Sequence, residues 1–243
     1  MLTAAIAAVG FFTAALSGVA GIGGGTILIG VLYALGLEPT VAVPLFAAVQ
    51  FVSNLSRTIA YFRFVEWRAA GWFLLTAAPM PFLVAPFVAG ANVNVVLLLL
   101  AGLILVSLVP AKDGGEPLPQ TPAVLLAGFL NGTIGMFVGA TGLFVGRLFL
   151  RPEWKKETVI GTLALTQTLG HLMRVLGYAS VGFLVTQRSE LLLPLVAAVI
   201  AGTFAGKALN QRLPEALFRR LFKAILVVLS FKLIYDGVTG LMA

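Results

Sequence analysis

The chain contains no cysteine, a single histidine and only nine carboxylates among its 243 residues. The first absence excludes disulfides and thiolate metal sites. The second excludes any multi-histidine metal centre. The third, in a chain that is only 10% charged, excludes an ordinary water-facing exterior, because a soluble domain of this length must coat itself largely with polar groups. The motifs H-E-x-x-H and G-x-S-x-G are missing as well. The nine carboxylates read as loop or helix-end residues, so no acid pair is expected inside the membrane, and an enzyme is not expected. No metal and no cofactor is implied.

What fills the chain instead is apolar: 60% of residues are hydrophobic and the mean hydropathy is +1.05. Runs at 72–91, 93–109 and 191–206 approach or reach the roughly 17–25 apolar residues that carry a helix across a bilayer. The expected class is an all-α polytopic membrane protein with lipid as its solvent. Its 27 glycines and 12 prolines suit close-packed and locally broken membrane helices. A net charge of +7 does not imply a nucleic-acid partner here, since the basic residues cluster in short loops where they set orientation.

A repeat organises the sequence. Gln50, Asn54, Arg57 and Tyr61 read Q-x3-N-x2-R-x3-Y, and Gln167, His171, Arg174 and Tyr178 read Q-x3-H-x2-R-x3-Y, each pair 117 positions apart (167 − 50). A Gly-rich interruption precedes each, SGVAGIGGGT at 17–26 and NGTIGMFVGATG at 131–142. The order predicts a first transmembrane repeat over 1–110, a polar linker over 111–121 and a second repeat over 122–243. Each repeat reads as a broken or re-entrant hairpin plus three long helices: 2–20 with 26–37, then 39–62, 67–90 and 93–109; and 121–138 with 141–150, then 155–180, 189–207 and 214–240.

If each hairpin returns to its own side, each repeat makes three crossings and the second is inverted relative to the first. Twelve basic residues then share one face, from Arg63, Arg68 and Lys112 through Arg147–Lys156 to Lys223, against Arg188 and Lys232 on the other. That bias predicts a bacterial cytoplasmic (inner) membrane location with the linker cytoplasmic and both termini outside.

Two features point to a site. Gly23, Gly24, Gly25 and Thr26, and Gly139, Thr141 and Gly142, would end one helix and start a half-helix within the membrane, offering free N–H groups and positive dipole ends to an anion. The same glycines would also serve helix packing alone. The second feature is the pair of stripes, whose 4-3-4 spacing puts four side chains on one helical face. Gln50, Asn54, Gln167 and His171 would then face the substrate. Arg57 and Arg174, about 10 Å further along at ~1.5 Å per residue, would attract anions at opposite entrances, or snorkel to headgroups. His171 reads as a hydrogen-bond donor, a fixed structural partner or a proton carrier. With no acid expected at this depth the site is net positive and suits a small anion. Anion efflux down an inside-negative potential would need no coupling ion.

The segments SGVAGIGGGTILI, VPLFAAVQFVSNLSRTIAYF, NGTIGMFVGATGLFVG, TLALTQTLGHLMRVLGYA and GKALNQRLPEALFRRLFKAILVVLSFKLIYD together resemble the sulfite exporter TauE/SafE family of bacterial permeases over nearly the whole chain. The resemblance implies transport of sulfite, of sulfonates such as sulfoacetate, or of related sulfur-containing anions. It also implies permeation along the two turns and the Gln50/Asn54 and Gln167/His171 faces. Two features depart from the family: the second run reads VGATG where a denser glycine cluster is common, and the stripe arginines with His171 look like those of a subgroup. A carrier and an anion channel both fit these residues, whereas an intramembrane enzyme would need groups that the sequence lacks. Apolar outer surfaces suit lipid and a homo-oligomer alike.

Overall fold

The computed structural model describes residues 2–20, 24–109, 118–210 and 215–242. Gly23, the linker residues 110–117 with Lys112, and Arg212 lie outside them. Among the described residues the chain is all helix, with no strand. The first half gives α1 (Leu2–Ala20), α2 (Gly24–Ala34), α3 (Pro39–Ala60), α4 (Trp67–Ala77), α5 (Pro79–Val88) and α6 (Val93–Leu108). The second gives α7 (Gln120–Gly132), α8 (Ile134–Val138), α9 (Gly142–Val145), α10 (Lys156–Ser180), α11 (Ser189–Asn210) and α12 (Glu215–Met242). Five stretches are long and apolar enough to cross a membrane: Pro39–Ala60, Trp67–Val88, Gln120–Val138, Val185–Gly206 and Arg220–Met242.

Local chemistry explains the ends and breaks. Pro39 opens α3 at a position where its missing N–H costs nothing. Asn92 caps α6 by accepting from the Asn94 N–H at 2.9 Å. The single helix expected over 67–90 is two segments meeting at Ala78, because Pro79 and Pro81 lack the N–H groups a continuous ladder needs. Ala78 itself stays right-handed (φ −75°, ψ −46°), so the span is interrupted and not turned back. The second hairpin also differs from expectation. Its return limb is four residues of α9 and a 3-10 turn over Gly146–Phe149, shorter than the eleven-residue α2, with glycine at 142 and 146 weakening it.

The helices pair in a reciprocal pattern. α3 packs along α10 and α6 along α12, while α1 packs on α11 as α4 packs on α7. α3 and α10 run antiparallel: the Tyr61 carbonyl lies beside Gly161, Thr58 bonds Thr168 at 3.0 Å, and the Pro39 carbonyl meets the Tyr178 hydroxyl at 3.3 Å. α1 and α11 run parallel, Gly10 facing Leu195, Gly202 facing Phe11 and Gly206 facing Ala15. α4 and α7 also run parallel, Thr76 donating to the Leu125 carbonyl at 2.8 Å and Gly132 facing Ala77 and Met80.

Two arginines from the loop after α9 hold the chain on either side of the linker. Arg147 donates to the Ser107 and Val109 carbonyls, each at 2.6 Å, and Arg151 donates to the Leu118 and Pro119 carbonyls. The first pair serves carbonyls that end α6 and have no helical partner. One expectation needs correction. Asp236, read as a loop or helix-end residue, instead forms an i,i+4 pair with Lys232 inside α12, where the apolar sequence continues on both sides.

The parallel α1–α11 contact is a backbone-to-backbone approach, since a side chain on Gly202 would stand 2.2 Å from the Phe11 carbonyl oxygen. Gly202→Val should therefore cost about 1–3 kcal/mol of stability and lower the melting temperature in detergent. Gly71→Ala, with open space around it, should leave the melt unchanged or raise it; equal melts for the two variants would contradict the packing.

Candidate functional site

In the first half, α2 starts at Gly24, directly against α3. A side chain on Gly25 would lie 2.1 Å from Gln50 Nε2, so glycine here lets the glutamine tip lie against this helix end, and a larger residue would push it aside. The result is a cavity of about 30 Å³ lined by Thr13 of α1, Gly24 and Gly25 of α2, Gln50, Ser53 and Arg57 of α3, and Thr203 of α11. This is room for about two waters. Among the described residues, α2 opens at Gly24 and presents its first turn to this cavity. Among the described residues, neither the Gln50 amide nor the Arg57 guanidinium has a hydrogen-bond or ion-pair partner. The Gln50 amide and the Arg57 guanidinium thus face a common space.

The rest of the first stripe turns elsewhere. Asn54 is buried, and its Nδ2 donates back to the Gln50 carbonyl at 2.9 Å. Thr58 takes the Asn54 carbonyl at 2.9 Å and joins α3 to α10 through Thr168. Thr26 is buried in α2. The four stripe positions therefore split between a cavity wall and a helix–helix seam. Thr13 and Thr203 join the wall without any signal in the sequence, being isolated hydroxyls in apolar helices. Ser53 alone was readable, standing three residues after Gln50 and four before Arg57.

The second half is built from the same parts and filled by them. Arg174 is not at an entrance: it is fully buried. Its Nη1 donates to the Gly139 carbonyl at 2.8 Å and to His171 Nδ1 at 2.9 Å. Its Nη2 donates to Asn131 through the backbone carbonyl at 3.0 Å and Oδ1 at 3.3 Å. Asn131 Nδ2 in turn donates to Thr141 Oγ1 at 2.7 Å and approaches Gln167 Oε1 at 3.4 Å. Gly135 and Gly170 make this possible: a side chain on either would meet Arg174 Nη2 at 2.2 Å or Asn131 Oδ1 at 2.4 Å. Two tyrosines finish the turn. Tyr178 donates to the Met136 carbonyl at 2.5 Å and Tyr33 to the Phe137 carbonyl.

Because arginine only donates, His171 Nδ1 accepts and the ring proton sits on Nε2. A proton arriving at Nδ1 would have to displace the guanidinium. Gln167 is buried with Nε2 unpartnered. Gly139 turns the chain at φ +75°, while Gly142 starts α9 with open space around it. The two turns approach one ring: Phe46 lies 3.4 Å from where a Gly25 side chain would begin and 3.3 Å from the same point on Gly139, and it stacks edge-on to His171 at 5.5 Å. Phe46 was invisible as a site residue, one more apolar side chain in an apolar helix. No group of acids, histidines or cysteines among the described residues could hold a metal ion.

An all-helical, lipid-embedded chain with broken helices and buried cationic side chains belongs to the class of membrane transporters. The family described as sulfite exporter TauE/SafE matches residues 6–233, and the chain belongs to it. That is a family of transporters of small anions and not of enzymes. No curated protein and no solved structure matches the chain.

The two arginines should separate on stability. Arg174→Ala strands two buried carbonyls and Asn131 Oδ1, at about 1–3 kcal/mol for each group left unpaired, and should lower the melting temperature sharply. Arg57→Ala removes no hydrogen-bond or ion-pair partner among the described residues and should leave it within a degree or two. Comparable losses in both variants would show that Arg57 is also a structural tie.

Proposed function

We propose that the chain is a carrier exporting a small sulfur oxyanion, sulfite or an organosulfonate such as sulfoacetate. Its site is the first-half cavity where the start of α2, Gln50, Ser53 and Arg57 converge. The carrying observation is that Gln50 and Arg57, without a hydrogen-bond or ion-pair partner among the described residues, line one cavity with the first residues of α2. A helix N-terminus attracts an anion, a guanidinium forms charge-assisted bonds to oxyanion oxygens, and an amide adds a neutral donor. Thr26 belongs to the same helix start. The equivalent second-half residues, Gly139, Thr141, Gly142, Gln167, His171 and Arg174, shape the far wall across Phe46. The small cavity and the ring between the two turns favour a carrier over an open channel.

The reading includes inverted repeats in a bacterial inner membrane, with the linker cytoplasmic. Three observations support it: the reciprocal packing of the two halves, the antiparallel run of α3 against α10, and the parallel run of α1 with α11. If α11 returns from α10 across the membrane, it points the same way as α3, and so does α1. A hairpin that goes in and comes back satisfies this; a single crossing through α1 and α2 does not.

Purified protein in nanodiscs should be stabilised by sulfite or a sulfonate, by about 2.7 kcal/mol at a hundred-fold excess over Kd. Gln50→Ala and Arg57→Ala should keep the basal melt and weaken that response roughly ten-fold or more, as loss of a charge-assisted bond of about 1.5–3 kcal/mol implies for Arg57. Sulfite efflux from proteoliposomes should saturate and fall in the same order. A response unchanged by both substitutions would remove the site. For topology, Arg63→Cys and Lys155→Cys should both react with an impermeant maleimide in inside-out vesicles, and Arg188→Cys in right-side-out ones. Labelling of residues 63 and 155 from opposite sides would refute the inverted arrangement.

A further inference from the structure

α12 carries a charge pair at a depth where the bilayer is hydrocarbon. Lys232 lies nine residues beyond Lys223, about 13 Å at ~1.5 Å per residue, which is close to the middle of a core about 30 Å thick. Packing against α6 gives the same depth. Gly240 abuts Asn94, and Gly237 abuts Asn94 and Leu98, so the two helices run antiparallel. Continuing that register sets Lys232 level with Ala101 and Gly102, the centre of Val93–Leu108.

The pair faces outward. Lys232 Nζ lies 2.6 Å from Asp236 Oδ1 and 2.5 Å from Oδ2, and the two side chains are 52% and 25% exposed. Val228, Phe231 and Tyr235 stand exposed beside it at i, i+3 and i+7, forming one ridge. The Tyr235 hydroxyl has no partner among the described residues. Ionisable groups within membrane segments face a protein interior or water, because lipid offers them nothing. Pairing lowers that penalty without removing it, since the remaining lone pairs and N–H groups still meet hydrocarbon.

We propose that this ridge of α12 is the contact face of a homodimer, and that a second copy of the chain covers the Lys232–Asp236 pair. A two-fold axis along the membrane normal brings identical ridges together at identical depth. Each lysine then reaches its own aspartate and, one helical turn along, that of the second copy. The four charges alternate in sign and sum to zero, so the surface is complementary to itself. Phe231 and Tyr235 flank this ring and exclude lipid, and the tyrosine hydroxyl gains carboxylates to donate to. The inference rests on membrane embedding alone and is independent of the substrate.

A chain without cysteine makes the test direct. In native membranes under copper phenanthroline, Phe231→Cys and Tyr235→Cys should convert at least half the protein to a disulfide-linked dimer. Phe87→Cys, equally exposed on α5, should stay monomeric. Adding Lys232→Asp to Tyr235→Cys sets four carboxylates at one depth and should cut the dimer at least five-fold, with Asp236→Lys in the same chain restoring it. Three results would each overturn the proposal: no dimer at 231 or 235, equal cross-linking at 87, or full dimerisation with Lys232→Asp. Should the charge variants fail to insert, mass photometry of the unsubstituted protein in nanodiscs decides alone: a dimer mass supports the contact, and a monomer mass means that lipid covers the ridge.

Discussion

A helix that breaks inside a bilayer must find partners for the backbone groups it releases, because lipid supplies none. The second hairpin meets this demand with side chains from elsewhere in the sequence. The carbonyls of Asn131, Met136, Phe137 and Gly139 are taken by Arg174, Tyr178, Tyr33 and Arg174 again. Tyr33 belongs to the first half and the other two to α10, so the turn is held by both. The glycines at 135 and 170 are present because a guanidinium and an amide must fit against the chain. Without these bonds neither the turn nor the seat of α3 beside it would persist.

The first hairpin shares the layout but not the occupancy. Arg57 corresponds in sequence to Arg174, yet among the described residues no carbonyl bonds it, and it lines a cavity. The two halves therefore act as template and variation. In one, the acceptors for a buried arginine are part of the chain; in the other, none is found among the described residues. This contrast is the physical basis for assigning ligand chemistry to the first half and scaffold chemistry to the second.

Much of the fold was legible in the sequence because a bilayer demands long apolar helices and penalises polar groups within them. The starts of α3, α4 and α6, and the ends of α1 and α10, fall on the positions that hydropathy and proline suggest. The split at Ala78 was missed because the whole of 67–90 is apolar, and periodicity does not weigh two prolines against continuity. The stripes identified Gln50 and Arg57, which line the cavity, but gave Arg174 an entrance it does not occupy. Spacing reveals a shared face, not which neighbour already satisfies it, and Asn131 lies 43 residues away in sequence. Phe46 and Thr203 carried no signal, since their importance comes only from helices that tertiary packing brings together.

Arg147 and Arg151 grip the end of the first half and the start of the second from one loop. The residues that flank the linker are therefore docked on one loop, independently of the covalent connection between them. Covalent continuity there matters for synthesis and insertion more than for assembly. Two separately translated halves, cut between residues 110 and 117, would retain both docking points and could still assemble.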